Sequence, residues 1–327
     1  MKYLDPKADL TFKKVFGEHP DLVKSLLNAL LPFKTPDEYI VDIEYLPSEM
    51  VPDTPFKKNS IVDVRCRDQR GRLFIVEMQM LWSSAFMQRV LFNASKAYVR
   101  QLGGAEKYEL LQPVYSLNLV DDVFMPDVEK YYHDYRIVHM EHSDKVIEGL
   151  RFIFVELPKF TPHTYTEKKM QALWLRFLTE IDGRTREIPQ ELLDNPEIKK
   201  AVDQIEQSAF NDAQLLGYDE FWDAVRVEKT LVSDALKEGM EKGLAEGMEK
   251  GMEKGMEKGL AEGMEKGMKK GMAEGRAEGL VEGQAKGRAE GERNKQIEIA
   301  RKMKQAGMDA ETIARLTGLA TDDIDVL

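Results

Sequence analysis

The sequence predicts a mixed α/β domain followed by a helical tail. Three observations predict it: apolar residues at helical spacing open the chain, two alternating runs joined by a glycine-containing turn follow, and glycine recurs at every fourth position near the end. The length of 327 residues allows two domains, or one large domain with appendages, at roughly 100–200 residues each.

Leu10, Phe12, Val15 and Phe16, then Leu22, Val23, Leu26, Leu27 and Leu30, recur at three and four residues and predict helices over 9–16 and 20–31. Pro20 suits a first helical position, and Asp9 a helix N-cap. Residues 39–46 read as a strand, and 51–59, with Pro52, Pro55 and Asn59, as a loop. Two alternating runs follow, Ile61–Cys66 and Leu73–Gln79. A helix capped by Ser84 is expected to run to about Leu102 and stop at Gly103-Gly104. Strands over 113–120, 136–140 and 151–157 and a helix over 166–181, containing Trp174, complete the domain.

The hairpin carries the chemistry. A loop Gln69-Arg70-Gly71 with its glycine in the left-handed position opposes Asp68 to Arg72 and sets the register of the whole pair. Asp63 then lies across from Glu77. Alternation puts Asp63, Arg65, Ile75, Glu77 and Gln79 on one face, and Val62, Val64, Cys66, Phe74, Val76 and Met78 on the other. Like charges directly opposed in a sheet repel. A shared proton, a divalent cation binding both carboxylates, or exposure to solvent with Arg65 as counter-ion would each offset the repulsion.

These motifs carry a family resemblance. Asp63, the turn ending at Gly71 and Glu77-Met78-Gln79 look like the PD-(D/E)xK nuclease core, an acid on one strand and acid-x-lysine on the next. More closely, the chain resembles the Rpn family of recombination-promoting nucleases, also described as transposases of that type. Its opening pattern is matched by Asp9, Phe12, Lys13, Phe16 and Gly17, its acid-x-Gln motif by Glu77 and Gln79, and the stretch after it by Arg89, Ser95, Lys96 and Tyr98. The similarity covers residues 1–180. It implies a restriction-endonuclease-like core, a central mixed sheet flanked by helices, and metal-dependent hydrolysis of DNA phosphodiesters in recombination or transposition-like processing.

By the same resemblance Asp63, Glu77 and the Met78 carbonyl hold Mg²⁺, or another divalent cation such as Mn²⁺ or Ca²⁺. Gln79 stands where the superfamily has lysine; an amide is neither base nor cation, and can only orient water or phosphate. On the helix after the hairpin Arg89, Asn93, Lys96 and Arg100 form one stripe. Lys96 is the first candidate for a displaced cation, Arg89 for a phosphate contact, and Asp9 for a further acid. The glutamine also leaves open a second class of function, an inactive DNA- or protein-binding module. A third is an oligomeric scaffold worked by the tail.

Other constellations carry less. His139 and His142 flank Glu141 without the spacing of a zinc site, and no phosphate-binding Gly-rich loop occurs. Cys66, the single cysteine, sits on an apolar strand face and fits a reducing compartment. With a charged opening segment and no apolar run of about 18 residues, the chain is expected to be cytoplasmic and off the membrane.

The tail divides the chain into residues 1–238, a repeat at 239–291 and a coda at 292–327. Of the 23 glycines, 14 lie in the repeat, which at its most regular reads Gly-Met-Glu-Lys from Gly247 to Lys258. As a lone helix these glycines cost about 1 kcal/mol each relative to alanine. A four-residue period also turns the glycine stripe about 40° per repeat. A self-associating helical stalk, making a coiled-coil-like homo-oligomer, and a flexible tether both fit. The coda looks like a helix-turn-helix fragment, but its last helix offers Asp322, Asp323 and Asp325, which suits a cap or interaction element better than a DNA reader.

Charge does not exclude a nucleic-acid substrate. The formal net charge of −11 conceals a segment from Lys57 to Lys107 with ten basic and four acidic residues. Field follows arrangement rather than total, so a local anion-binding surface around the hairpin is compatible with an acidic protein.

Overall fold

A computed structural model describes residues 2–50, 60–103, 106–162 and 169–327. The loop expected over 51–59, Gly104, and the expected start of the helix at 166 lie outside these. The chain divides into two compact units, Met1–Asp234 and Ala235–Leu327.

The first unit is a three-layer arrangement around a six-stranded mixed sheet. Its strands are β1 (Ile43–Tyr45), β4 (Val64–Asp68), β5 (Leu73–Gln79), β6 (Val114–Val120), β7 (Tyr132–Val138) and β8 (Val146–Glu156), in the order β1-β4-β5-β6-β8-β7. The pairs β5·β6 and β6·β8 are parallel; the other three are antiparallel. A separate ribbon joins β2 (Glu49–Met50) to β3 (Ser60–Ile61).

One sheet face is covered by α2 (Pro20–Leu30), α4 (Lys169–Glu180) and α6 (Pro196–Gln204), whose Leu26, Trp174 and Ile198 share a core with Val64, Cys66, Phe74, Val76 and Leu117. Pro20 occupies the first turn of α2, where its missing N–H has no helical partner to lose. The other face carries α3 (Ser84–Val99), whose Phe86, Val90, Ala94 and Ala97 pack on Leu73, Ile75, Val120 and Phe154. Its cap is Ser83, not Ser84: the Ser83 hydroxyl accepts from the Phe86 N–H, a contact of about 1 kcal/mol. The cores on the two faces make β5, β6 and β8 buried strands, which is why they read as dense apolar runs.

The hairpin register follows the turn. Val64 faces Val76, Arg65 Ile75, Cys66 Phe74 and Arg67 Leu73. Gly71 has φ +82°, the left-handed value the turn demands. The pairing ends at Val64, however. Val62 and Asp63 form a bend between β3 and β4, and Val62 packs with Ile75 beneath α3 rather than on the Val64 face. The simple alternation fails there because β3 leaves the sheet to pair with β2.

The helix expected over 9–16 is α1 (Asp9–Phe12) continued by a wide π-turn over Lys13–Gly17. Ala8 is the N-cap residue and Asp9 the first helical residue, so the carboxylate does not cap the helix. The strand expected over 136–140 begins earlier and ends at Val138, and β8 begins at Val146, so the two make a hairpin longer than their alternation suggested. A short α5 (Gln190–Leu193) precedes α6.

Helix α7 (Asp212–Gln305) begins in the first unit and supplies most of the second. A Cβ built at any of the 14 repeat glycines meets nothing within 4 Å, and the residue after most of them, from Met240 to Met272, is exposed. Gly307 and Gly318 take positive φ and divide off α8 (Ala310–Thr317) and α9 (Thr321–Asp325), and Ala300, Ile313, Leu319 and Ile324 form a small core. Among the described residues no helix is long and apolar enough to cross a membrane.

Candidate active site

The carboxyl end of β5 and the bend at Asp63 bring two acids together beneath α3. Glu77 is buried on the α3 face of the sheet. Its Oε1 accepts a 3.0 Å hydrogen bond from Asn93 Nδ2, and Asn93 Oδ1 accepts in turn from the Ser60 hydroxyl at 2.5 Å. Asp63 is not directly across from Glu77 in a ladder, as the hairpin register alone predicts. Its side chain replaces the ladder, and Oδ2 accepts the Met78 N–H at 2.8 Å. Burial raises the Asp63 pKa, with the Met78 N–H and Lys13 working against it and Asp9 with it. Burial, then the charge of Asp63, pushes Glu77 to about 7, against Arg89, Asn93 and Lys13. Each acid is therefore expensive to ionise, Glu77 partly because of its neighbour.

Gln79 lies at the end of β5 with both ends of its amide committed. Nε2 donates to the Leu81 carbonyl at 2.7 Å, and Oε1 accepts from Arg89 Nη2 at the same distance. It thus holds a guanidinium rather than a water. Arg89 Nη2 lies 3.9 Å from Glu77 Oε2, and the Arg89 side chain is half exposed. The charge that acts on both acids comes from Arg89 and from Lys13, which pairs with Asp9 at 2.7 Å on the first helix.

Neither Lys96 nor Arg65 is that counter-ion. Lys96 Nζ donates to the Met50 carbonyl at 2.5 Å, and Arg65 Nη1 donates to the Pro47 carbonyl at 3.5 Å, with Arg100 as its charged neighbour. The charge of Asp9 helps raise Asp63. Asn93 and Lys13 are the polar residues that sequence reasoning did not single out. The signal was present: Asn93 shares a helical stripe with Arg89, and Lys13 stands inside the opening motif.

Beside the two carboxylates stands one backbone carbonyl. Gln79 gives its carbonyl to Asp121 N beyond the end of β6. Successive residues of a strand turn their backbone groups to opposite sides, so the Met78 carbonyl looks the other way, with its N–H, toward Asp63. Two carboxylates that resist joint ionisation and a carbonyl beside them suit a hard cation, which completes its shell with water and phosphate. Among the described residues no group of three or more Asp, Glu, His or Cys side chains is placed to hold a metal ion.

A mixed sheet flanked by helices, with one acid on a central strand and a second on the bend before its neighbour, fits the PD-(D/E)XK nuclease fold. The chain belongs to the PD-(D/E)XK nuclease family transposases, whose family model matches residues 6–235. Residues 293–327 match the C-terminal HTH domain of the Rpn/YhgA-like nuclease family. The coda is thus a helix-turn-helix domain, a type that suggests DNA binding, despite the acids of α9. Nucleases of the superfamily generally use divalent metal ions. No curated protein and no solved structure matches the chain.

Proposed function

We propose that this protein is a divalent-metal-dependent DNA endonuclease acting in recombination or transposition-like processing, with its reaction centre at Asp63, Glu77 and the Met78 carbonyl. The observation that carries the reading is the Asp63/Glu77 pair, Glu77 buried and Asp63 half-buried, with the charge of Asp63 raising Glu77 and a half-exposed guanidinium beside them.

When bound, a Mg²⁺ or Mn²⁺ ion would supply Lewis acidity toward a phosphate oxygen and lower the pKa of a bound water. The chain's own residues do the rest. Asp63 is held by the Met78 N–H and Glu77 by Asn93, so each carboxylate is oriented before an ion arrives. Gln79 fixes Arg89, which takes the role of the superfamily lysine as a charge for the scissile phosphate. Lys13 offers a second cation from the first helix. The helix-turn-helix domain supplies further DNA affinity.

Plasmid nicking in Mg²⁺ or Mn²⁺ tests this. Asp63→Asn and Glu77→Gln should each lower the rate by at least about 10²-fold, the scale on which charge-stabilising groups act. Cleavage surviving in both variants would remove the site. Because Gln79 is spent on Arg89, a second reading remains open, a DNA-binding module without cleavage. Tight, metal-independent DNA binding with no nicking in any divalent ion would select it.

A further inference from the structure

The six-stranded sheet ends on β7. At one end of the β7·β8 pair Glu156 N donates to the Tyr131 carbonyl, and at the other His139 N donates to the Lys145 carbonyl. Odd-numbered residues of this strand therefore turn their backbone groups to β8. Tyr132, Asp134, Arg136 and Val138 turn theirs outward, to an edge that no strand pairs among the described residues. The register shift between Arg136 and Ile137 leaves that alternation intact. An open edge with apolar side chains is a template for pairing unless it is covered. Here Tyr135, Ile137 and Val138 are exposed, and beside them an apolar groove of about 240 Å³ runs between β7 and α3, lined by Leu91, Tyr135, Ile137, Phe152 and Phe154.

We propose that β7 is the seam of a homodimer, two copies pairing their β7 strands antiparallel about Tyr135. The occupant follows from the strand's own sequence. Tyr135 is the middle residue of β7, so this register overlaps all seven residues. It opposes Asp134 to the partner's Arg136, and the reverse by symmetry. Both residues turn their backbone groups outward, so each pair exchanges two hydrogen bonds. Registers centred on Asp134 or on Arg136 would instead oppose like charges, which destabilises a sheet. Asp134 already binds Arg151 and Arg136 of its own chain, at 2.7–2.8 Å, so the seam closes a network of two carboxylates and four guanidinium groups. Directly opposed residues share a face, so Tyr135 meets its symmetry mate and the two grooves join, covering the apolar surface that each copy exposes. A contact of this kind is isologous and closes at two copies. It is independent of the nuclease reading.

Disulfide trapping in the full chain tests the seam. At a non-hydrogen-bonded antiparallel pair the Cα atoms lie about 4.5 Å apart, within the range of a disulfide. The native Cys66 is buried, and burial raises its thiol to about 12, so it contributes no background. Tyr135→Cys should form a covalent dimer under mild oxidation at least tenfold faster than Ile61→Cys, an exposed control position on β3. A mixture of Asp134→Cys and Arg136→Cys chains should cross-link, and neither alone. Equal rates at positions 135 and 61, or no linkage at 135 in a chain that keeps the circular dichroism of the parent, would overturn the proposal. So would a covalent dimer at 135 accompanied by equal self-linkage of the 134 and 136 variants, which would mean random encounter rather than this register.

Discussion

Glu77 and Glu156 sit on the same face of one sheet, opposite Asn118 and Val120 of the shared neighbour β6, and both are buried. Their surroundings are opposites. Burial pushes Glu156 up, but Lys159, the Met125 N–H, His133 and the Phe124 N–H together bring it below the ordinary range. Lys159 Nζ lies 2.6 Å and His133 Nε2 2.8 Å from its Oε2, while both backbone amides reach Oε1. Glu77 has one amide donor at 3.0 Å and a guanidinium at 3.9 Å, and stays near 7. A fully satisfied carboxylate fastens a loop. A buried one with few donors beside a second acid has the perturbed titration expected of the proposed reactive position.

Exchanging charge for amide at the two sites should separate these roles. Glu77→Gln is expected to remove metal-dependent nicking, by 10²-fold or more on the scale cited above, while the metal-free fold stays at least as stable as the parent. Glu156→Gln is expected to leave the reaction centre's residues in place and weaken the fold, because it strands Lys159. Removing one partner of a buried pair costs about 3–5 kcal/mol. Denaturant titration in chelator alongside the nicking assay reads both. If Glu156→Gln lost activity and kept its stability, the contrast between the two glutamates would be wrong.

The same contrast has a sign in pH. Glu77 is raised in the folded chain, so the fold binds its proton more tightly than the unfolded chain does. Its contribution is fully present below the unfolded value of 4.5 and is lost as pH rises to about 7. A shift of that size amounts to about 3.5 kcal/mol at most, at about 1.4 kcal/mol per pH unit. Glu156 is lowered, so its contribution is present above the unfolded value of 4.5 and is lost as pH falls through the lower folded value. Metal-free unfolding followed from pH 4.5 to 7.5 should show a decline that Glu77→Gln removes and Glu156→Gln does not. A slope unchanged by Glu77→Gln would place the titration elsewhere.

Much of this was legible because local rules were obeyed. Gly71 fixed the hairpin register, the apolar spacing placed α2 and α4, and the order of motifs around Asp63, Glu77 and Arg89 pointed to the nuclease family. The losses share one cause, contacts distant in sequence. The bend at Val62-Asp63 exists because β3 pairs with β2, and no alternation within the hairpin encodes that. Arg65 looked like the counter-ion because it shares a face with the acids, but α3 puts Arg89 nearer. The roles of the two glutamates were equally hidden. Glu156 depends on a loop 30 residues upstream, on His133 and on Lys159, and its own strand reads as plain apolar sequence ending in an acid.

Asn93 is the finest test of the difference, since it is the donor that distinguishes an oriented Glu77 from a merely buried one. Its side chain is 2% exposed and links Ser60 to Glu77. Asn93→Ala should lower divalent-metal affinity or nicking rate by about 10–100-fold, the usual effect of losing an outer partner of a metal ligand. Asn93→Asp should be worse than alanine near neutral pH, because it adds a third negative charge against the two acids and replaces the donor with an acceptor. Calorimetric titration with Mn²⁺, beside circular dichroism and denaturant unfolding of the same variants, separates a metal defect from a general loss of structure. If alanine and aspartate variants bind Mn²⁺ as the parent does, Asn93 is a packing residue, and Glu77 is held by the sheet alone.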